Sequence, residues 1–293
     1  MTDFAALHPV TLFVYYLLLL VFGMTLTHPV FVCLSVCLTG ASFVLLKKSG
    51  AVKTLFSLLI PLSFLAALIN PLFSHAGQTI LAYFPSGNAL TLESILYGLN
   101  AAGSFFTALA ACFCVSVVMT DDKWIALFGR FAPSVSLLLS MTFRFVPRFQ
   151  KEAYQLAQTQ KSFVPTRKVP FARLKNALHT FSALVTKTLE NALFTADSMK
   201  ARGYGLPGRT AFSLFSFHKQ DVIVLASTLL LASYVALGAL SGQIAFRFYP
   251  NVRASALTPY SLRVFCAYAL FCALPCMIEG KELLRWKYFV SRI

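Results

Sequence analysis

A chain of 293 residues that is 58% apolar, with a mean hydropathy of +0.72, carries more apolar surface than a soluble domain can bury, and it reads as an integral membrane protein. The formal charge of +15 does not indicate nucleic acid, because fifteen of the twenty-five Lys and Arg fall between Asp121 and Gln220, three in Lys47 to Lys53 and four after Gly280. Basic clusters beside apolar runs follow the positive-inside pattern and are expected in the cytoplasm.

His8-Pro9 opens the first apolar run, Val10 to Leu26, and His28-Pro29 opens the second, Val30 to Leu46. Proline suits the first helical turn, where its missing N–H is not needed, so each His-Pro marks a helix start. The opening Met1-Thr2-Asp3-Phe4 has no positive leader and no small-residue cleavage site follows the first run, so that run is expected to be retained. A spanning helix needs about 20 apolar residues, and these two runs form a hairpin returning at Lys47, Lys48 and Lys53. A third run, Leu55 to Ile69, is expected to stop at Asn70-Pro71-Leu72-Phe73-Ser74-His75-Ala76-Gly77, an apolar turn at the outer interface or dipping between helices. The fourth, Ser94 to Met119, carries Gly98, Ala101, Ala102, Gly103, Ala108, Ala110 and Ala111 for close helix contact. Val222 to Leu240 and Leu262 to Ile278 are two further spans, joined by an external linker, Ser241 to Ser261. Six spans put both termini inside, with twenty-two basic residues inside against three outside.

Three regions follow: residues 1–119, an N-terminal transmembrane region of about four spans; 120–220, a basic cytoplasmic region; and 221–293, two spans and a basic tail. The fold class is all-α and polytopic. Seven cysteines (Cys33, Cys37, Cys112, Cys114, Cys266, Cys272 and Cys276) lie within apolar runs without a C-x-x-C pair, and read as small apolar residues packed among helices, with no disulfide or metal site. None of the ten acidic residues lies at the centre of an expected span, where ion-coupled carriers place an ionisable group despite its cost of about 2.5 kcal/mol or more. No G-x-x-x-x-G-K-S/T loop is present, so the chain is not expected to hydrolyse ATP.

Within the cytoplasmic region Ser134 to Lys161 reads helical, with Pro147 expected to bend it and Arg144, Arg148 and Lys151 forming one basic stripe. The chain is expected to break at Ser162 to Arg167. In the second helix Val185, Leu189, Ala192, Ala196 and Met199 recur at i, i+4, i+7, i+11 and i+14, a narrow apolar stripe suited to the bilayer interface or to another helix. Gly203 directly after Arg202 is placed as a helix stop, since glycine takes the left-handed conformation without penalty. Arg202 then projects from a fixed helix end, where it either interacts with the helix dipole or offers a planar pair to a carboxylate.

Ala201-Arg202-Gly203, taken with the His8-Pro9 run, the Asn70 to Gly77 segment and Phe143-Arg144-Phe145-Val146-Pro147, resembles the signature of the T component of energy-coupling factor transporters, the EcfT/CbiQ-like family. Members of that family carry two Ala-Arg-Gly-type motifs, each ending a cytoplasmic coupling helix that docks on an ATPase. Here the first is replaced by Gln158-Thr159-Gln160-Lys161-Ser162-Phe163-Val164. The resemblance implies ATPase docking through Ala201, Arg202 and Gly203, with Lys161 or Arg167 standing in for the first arginine. It implies contact of Val185, Leu189, Ala192, Ala196 and Met199 with a substrate-binding S component. It also implies two ATP-binding cassette subunits as partners, ATP-Mg in those subunits and no cofactor in this chain, in a bacterial cell membrane, importing a vitamin or metal ion. The rival readings are a stand-alone secondary carrier or channel, for which no inverted repeat is evident, and a membrane enzyme, for which His179 and His218 lack partner ligands.

Overall fold

The computed structural model describes residues 3–47, 50–74, 77–83, 89–129, 132–163, 170–206, 215–242, 244, 246–254 and 258–290. In chain order the helices are α1 (Asp3–Ala6), α2 (Pro9–Thr25), α3 (Pro29–Lys47), α4 (Ala51–Thr54), α5 (Ile60–Phe73), α6 (Leu92–Val118), α7 (Asp121–Gly129), α8 (Pro133–Phe163), α9 (Pro170–Ala201), α10 (Lys219–Leu240) and α11 (Pro259–Val290). A π-helical turn, Leu55–Leu59, joins α4 to α5 into one apolar rod, Ala51–Phe73. Strands β1 (Ile80–Tyr83) and β2 (Ala89–Thr91) form one short antiparallel pair, and β3 (Phe246–Arg247) and β4 (Arg253–Ala254) another, the latter within the expected external linker. The chain divides into two units, Met1–Thr120 with Phe215–Ile293, and Asp121–Leu214.

In the first unit both His-Pro pairs cap helices as their chemistry requires. The His8 ring accepts from the Val10 N–H and the His28 ring from the Val30 N–H, each at 3.2 Å through Nδ1. Each imidazole thereby satisfies one of the N–H groups a helix start leaves unpaired, with Pro9 and Pro29 at the first helical position. Among the described residues five helices are long and apolar enough to cross a membrane, and α2, an apolar helix of 17 residues, is a shorter sixth. At 1.5 Å per residue α2 is about 26 Å long, close to the hydrocarbon thickness of about 30 Å. The protein is a multi-pass membrane protein.

α3, α6 and α11 form the middle of the bundle, α2 and α10 flank them, and the Ala51–Phe73 rod lies on α6. Lipid tails give no hydrophobic drive between helices, so packing and internal hydrogen bonds hold such a bundle. Tyr15, Phe31, Tyr268 and Phe271 are fully buried, with ring centroids 5.0 Å apart for Phe31 and Tyr268 and 5.2 Å for Tyr15 and Phe271. The Ser35 and Tyr268 hydroxyls bond across α3 and α11 at 2.6 Å. Two buried carboxylates bind other parts of the chain: Glu93 in the first turn of α6 accepts from the Thr79 hydroxyl at 2.7 Å, and Glu279, inside α11, accepts from the Phe4 N–H at 3.0 Å.

Two expectations are corrected here. The third span continues through Asn70-Pro71 to Phe73, because the Asn70 amide donates to Ser94 O at 2.9 Å and to the Tyr249 hydroxyl at 3.2 Å instead of turning its own backbone. Pro71 falls in the last turn, and the Ala67 carbonyl four residues before it faces α6 at Gly98, where an added Cβ would lie 2.6 Å from that oxygen. His75 and Ala76, at the end of the expected turn, lie outside the described residues. Of the cysteines only Cys114 and Cys272 are buried and Cys276 is half-buried, while Cys33, Cys37, Cys112 and Cys266 lie on outward faces of their helices.

Candidate functional site

The second unit holds α7, α8 and α9, and each helix follows from its sequence. α7 begins on Asp121 and Asp122, acidic residues favoured at a helix N-terminus, and the Ser136 hydroxyl of α8 bonds back to Ile125 O at 3.1 Å. α8 continues unbroken through Pro147 and two residues past the expected break, to Phe163; residues 164–169, with Arg167, lie outside the described residues. α9 has 32 residues, about 48 Å at 1.5 Å each.

The end of α9 is fixed by its backbone. Tyr204 N–H bonds Met199 O at 3.0 Å and Gly203 N–H bonds Lys200 O at 2.9 Å, with Gly203 at φ +82, the paired 6→1 and 5→2 bonds of a Schellman motif. Arg202 is the capping residue, exposed, and Ala201 before it is the last helical residue. A Cβ at Gly203 would be strained by the positive φ and would meet Leu206 at 3.2 Å. The guanidinium therefore leaves the helix at a position set by two backbone bonds. Lys161 lies in the last turn of α8.

α9 carries two stripes, and α8 takes the polar one. Thr180, Leu184, Thr188, Asn191 and Thr195 are half-buried and fall within about 80° of arc at 100° per residue. Val185, Leu189, Ala192 and Ala196 are exposed, and Leu174, Leu178 and Phe181, also exposed, extend their line toward the start of α9. The apolar stripe is centred about 100° around the helix from the packed one. Met199 is half-buried and ends the stripe. Leu189, at 62% exposure, is the largest side chain among the five expected contact residues that stands so far out.

Sequence reasoning missed what joins the two helices. Glu152 of α8, 9% exposed, accepts from Arg148 Nε at 3.0 Å and faces Lys187 Nζ of α9 at 3.8 Å. Beside it a cavity of about 110 Å³ is lined by Phe145, Arg148, Phe149, Thr188, Asn191 and Thr195, with Ala192, at the near edge of the apolar stripe, also reaching it. The i, i+4 spacing of Arg148 and Glu152 was the available signal; the cross-helix partner had none. Arg148 thus leaves the expected basic stripe for an ion pair, while Arg144 and Lys151 remain exposed. A half-exposed pair of this kind contributes at most about 1 kcal/mol, so it sets register more than it holds the helices together. Among the described residues no group of His, Cys, Asp and Glu is arranged to hold a metal ion.

Among the described residues, six apolar helices and a separate helical unit, whose longest helix ends on a capped arginine, define a polytopic membrane protein with a long, exposed amphipathic helix. Residues 6–213, well over half of the chain, match the family model of the cobalt transport protein CbiQ, and the chain belongs to that family. It is also 29% identical over 106 residues to the energy-coupling factor transporter transmembrane protein EcfT 1 of Listeria monocytogenes serotype 1/2a (strain 08-5578). That stretch covers 34% of this chain and 38% of the relative.

Proposed function

We propose that this chain is the transmembrane scaffold, or T component, of an energy-coupling factor importer, which transmits movement from ATP-hydrolysing partners to a separate substrate-binding membrane subunit. Membership of the CbiQ family and the EcfT relative support the class. The observation that carries the mechanical role is one helix bearing both a continuous exposed apolar stripe and, at its end, an arginine held by a Schellman cap. Ala201, Arg202 and Gly203 dock into an acidic groove on one ATP-binding cassette subunit, with Lys161 or Arg167 serving the second. Val185, Leu189, Ala192, Ala196 and Met199 carry the S component. ATP-driven approach of the two ATPases displaces the docked ends, the helices carry the displacement, and the S component reorients in a bacterial plasma membrane. ATP-Mg binds in the partners, and the transported vitamin or metal ion is selected by the S component. The test is purification of the chain from its native membrane. Two ATP-binding proteins and a small membrane protein are expected with it, and solute uptake by the reconstituted chain alone would overturn the reading.

A further inference from the structure

The apolar part of α11 ends at Lys281, and there the helix presents a largely exposed face. Met277, Gly280, Lys281, Leu284, Arg285 and Tyr288 follow at i, i+3, i+4, i+7, i+8 and i+11 and, with Cys276 at the edge, line an open concavity of about 580 Å³. Its rotation is fixed from the other side. Glu279, turned about half a circle away, accepts from the Phe4 N–H at 3.0 Å, while Cys276, at the edge of the concavity, donates its thiol to Leu38 O at 3.8 Å. The floor is apolar and open, with Met277, Leu284 and Tyr288 all exposed, and Gly280 leaves a notch where an added Cβ would meet nothing within 4 Å.

Lys281 and Arg285 stand one turn apart on this face, a like-charge spacing that weakens a helix unless an anion lies between. Among the described residues neither forms an ion pair. A soluble anion would satisfy the two cations but not the apolar floor, which begins within the hydrocarbon-crossing part of the helix and rises about 17 Å to the level of Tyr288. A phosphodiester attached to an acyl chain satisfies both.

We propose that this face of α11 binds an anionic phospholipid, with its phosphate between Lys281 and Arg285 and an acyl chain over Met277 in the notch at Gly280. The inference rests on the reading that this end of α11 faces the cytoplasm, where basic residues beside a span meet anionic headgroups. Lipid at this point would fix the depth and rotation of the last helix.

The test uses the full chain with its partners, taken from vesicles of phosphatidylcholine doped with phosphatidylglycerol and read by native mass spectrometry for retained lipid. Wild type should retain phosphatidylglycerol over phosphatidylcholine. Lys281→Gln with Arg285→Gln should weaken retention about thirtyfold, the factor expected for two lost cation contacts near a headgroup. Gly280→Leu, which keeps both charges and fills the notch, should also release the lipid, and Arg247→Gln on the β3–β4 hairpin should not. Equal retention of both lipids by wild type, undiminished retention by the double variant, or undiminished retention by Gly280→Leu would overturn the site. Displacement of the lipid by excess inorganic phosphate would make it a phosphate site and overturn the lipid assignment. Partner retention is scored on the same samples, so that wild type losing lipid but keeping partners counts against this inference alone, and the reverse counts against the scaffold reading alone.

Discussion

The Asp221 carboxylate accepts the backbone N–H of His8 at 2.7 Å, across 213 residues of chain, and its other oxygen accepts the His218 N–H at 2.9 Å. One buried side chain, 3% exposed, therefore holds the starts of both α2 and α10. The His8 ring closes the joint by stacking on Phe217 at 3.7 Å.

Replacing Asp221 by Ala removes two charge-assisted hydrogen bonds and should cost about 3 kcal/mol. Asp221→Asn keeps an acceptor and should cost less. Thermal unfolding in detergent reads the difference, and equal melting of all three proteins would refute the joint.

The His-Pro caps make stability depend on pH. Both rings accept a hydrogen bond at Nδ1, which a protonated imidazole cannot do. Burial lowers the pKa of His8, with Asp221 acting weakly the other way, and burial lowers that of His28. A folded pKa below the unfolded value of about 6.5 means that the unfolded chain takes up the proton first. The stabilisation is thus complete above about pH 6.5 and declines as the pH falls toward the folded values. Melting temperature should drop between about pH 7.5 and about pH 5, the interval over which an imidazole with a pKa at or somewhat below about 6.5 takes up its proton. His8→Asn with His28→Asn, which keep a capping acceptor, should flatten that drop.

Arg202→Glu reverses the charge at the end of α9 without touching its cap, so under the scaffold role proposed above the chain should fold normally and fail to retain ATP-binding proteins on purification. Gly203→Ala forces a Cβ into φ +82, at a cost of about 1 kcal/mol, and should increase amide exchange over the last turn of α9. Normal partner retention by Arg202→Glu would remove that residue from docking.

Leu189→Asp is the cleaner test of the apolar stripe. Leu189 is exposed, so its replacement should alter stability by no more than about 0.5 kcal/mol while the S component is lost. Met199→Asp, half-buried, should in addition disturb the end of α9. Loss of the ATPases and the S component together in Leu189→Asp would contradict the division of roles along the helix.

A double-mutant cycle at the α8–α9 contact should show stronger coupling for Arg148 with Glu152 than for Lys187 with Glu152. The first pair is hydrogen-bonded at 3.0 Å and the second stands at 3.8 Å. Neither should exceed about 1 kcal/mol.

The sequence made the spans and the helix stop plain because each rests on a local rule: a long apolar run, opened by His-Pro in the first two, and a glycine directly after the capping arginine. It did not reveal which side of α9 meets α8. Periodicity marks Val185, Leu189 and Ala196 as one line, but Thr188, Asn191 and Thr195 form another with the same period, and only the fold shows that α8 takes the second. Asn70-Pro71 misled for a related reason. The dipeptide has turn chemistry in isolation, yet Ser94 and Tyr249 engage the amide from distant parts of the chain and the helix runs on. The outward cysteines were likewise invisible, because a run that is apolar all round gives no sign of which side faces its neighbours.

The Ala51–Phe73 rod has only 6% of its apolar window buried and rests on α6 along a single edge. Phe56, Leu58, Leu65 and Leu68, all outward, should accept exchange among leucine, isoleucine, valine and phenylalanine in a growth-based mutational scan, since membrane oils distinguish poorly among them. The same scan should tolerate almost nothing at Gly98, and little at the Ala67 and Asn70 positions that meet α6. Selection on this rod is thus confined to one seam, leaving the remaining circumference free to drift with the lipid composition of the host.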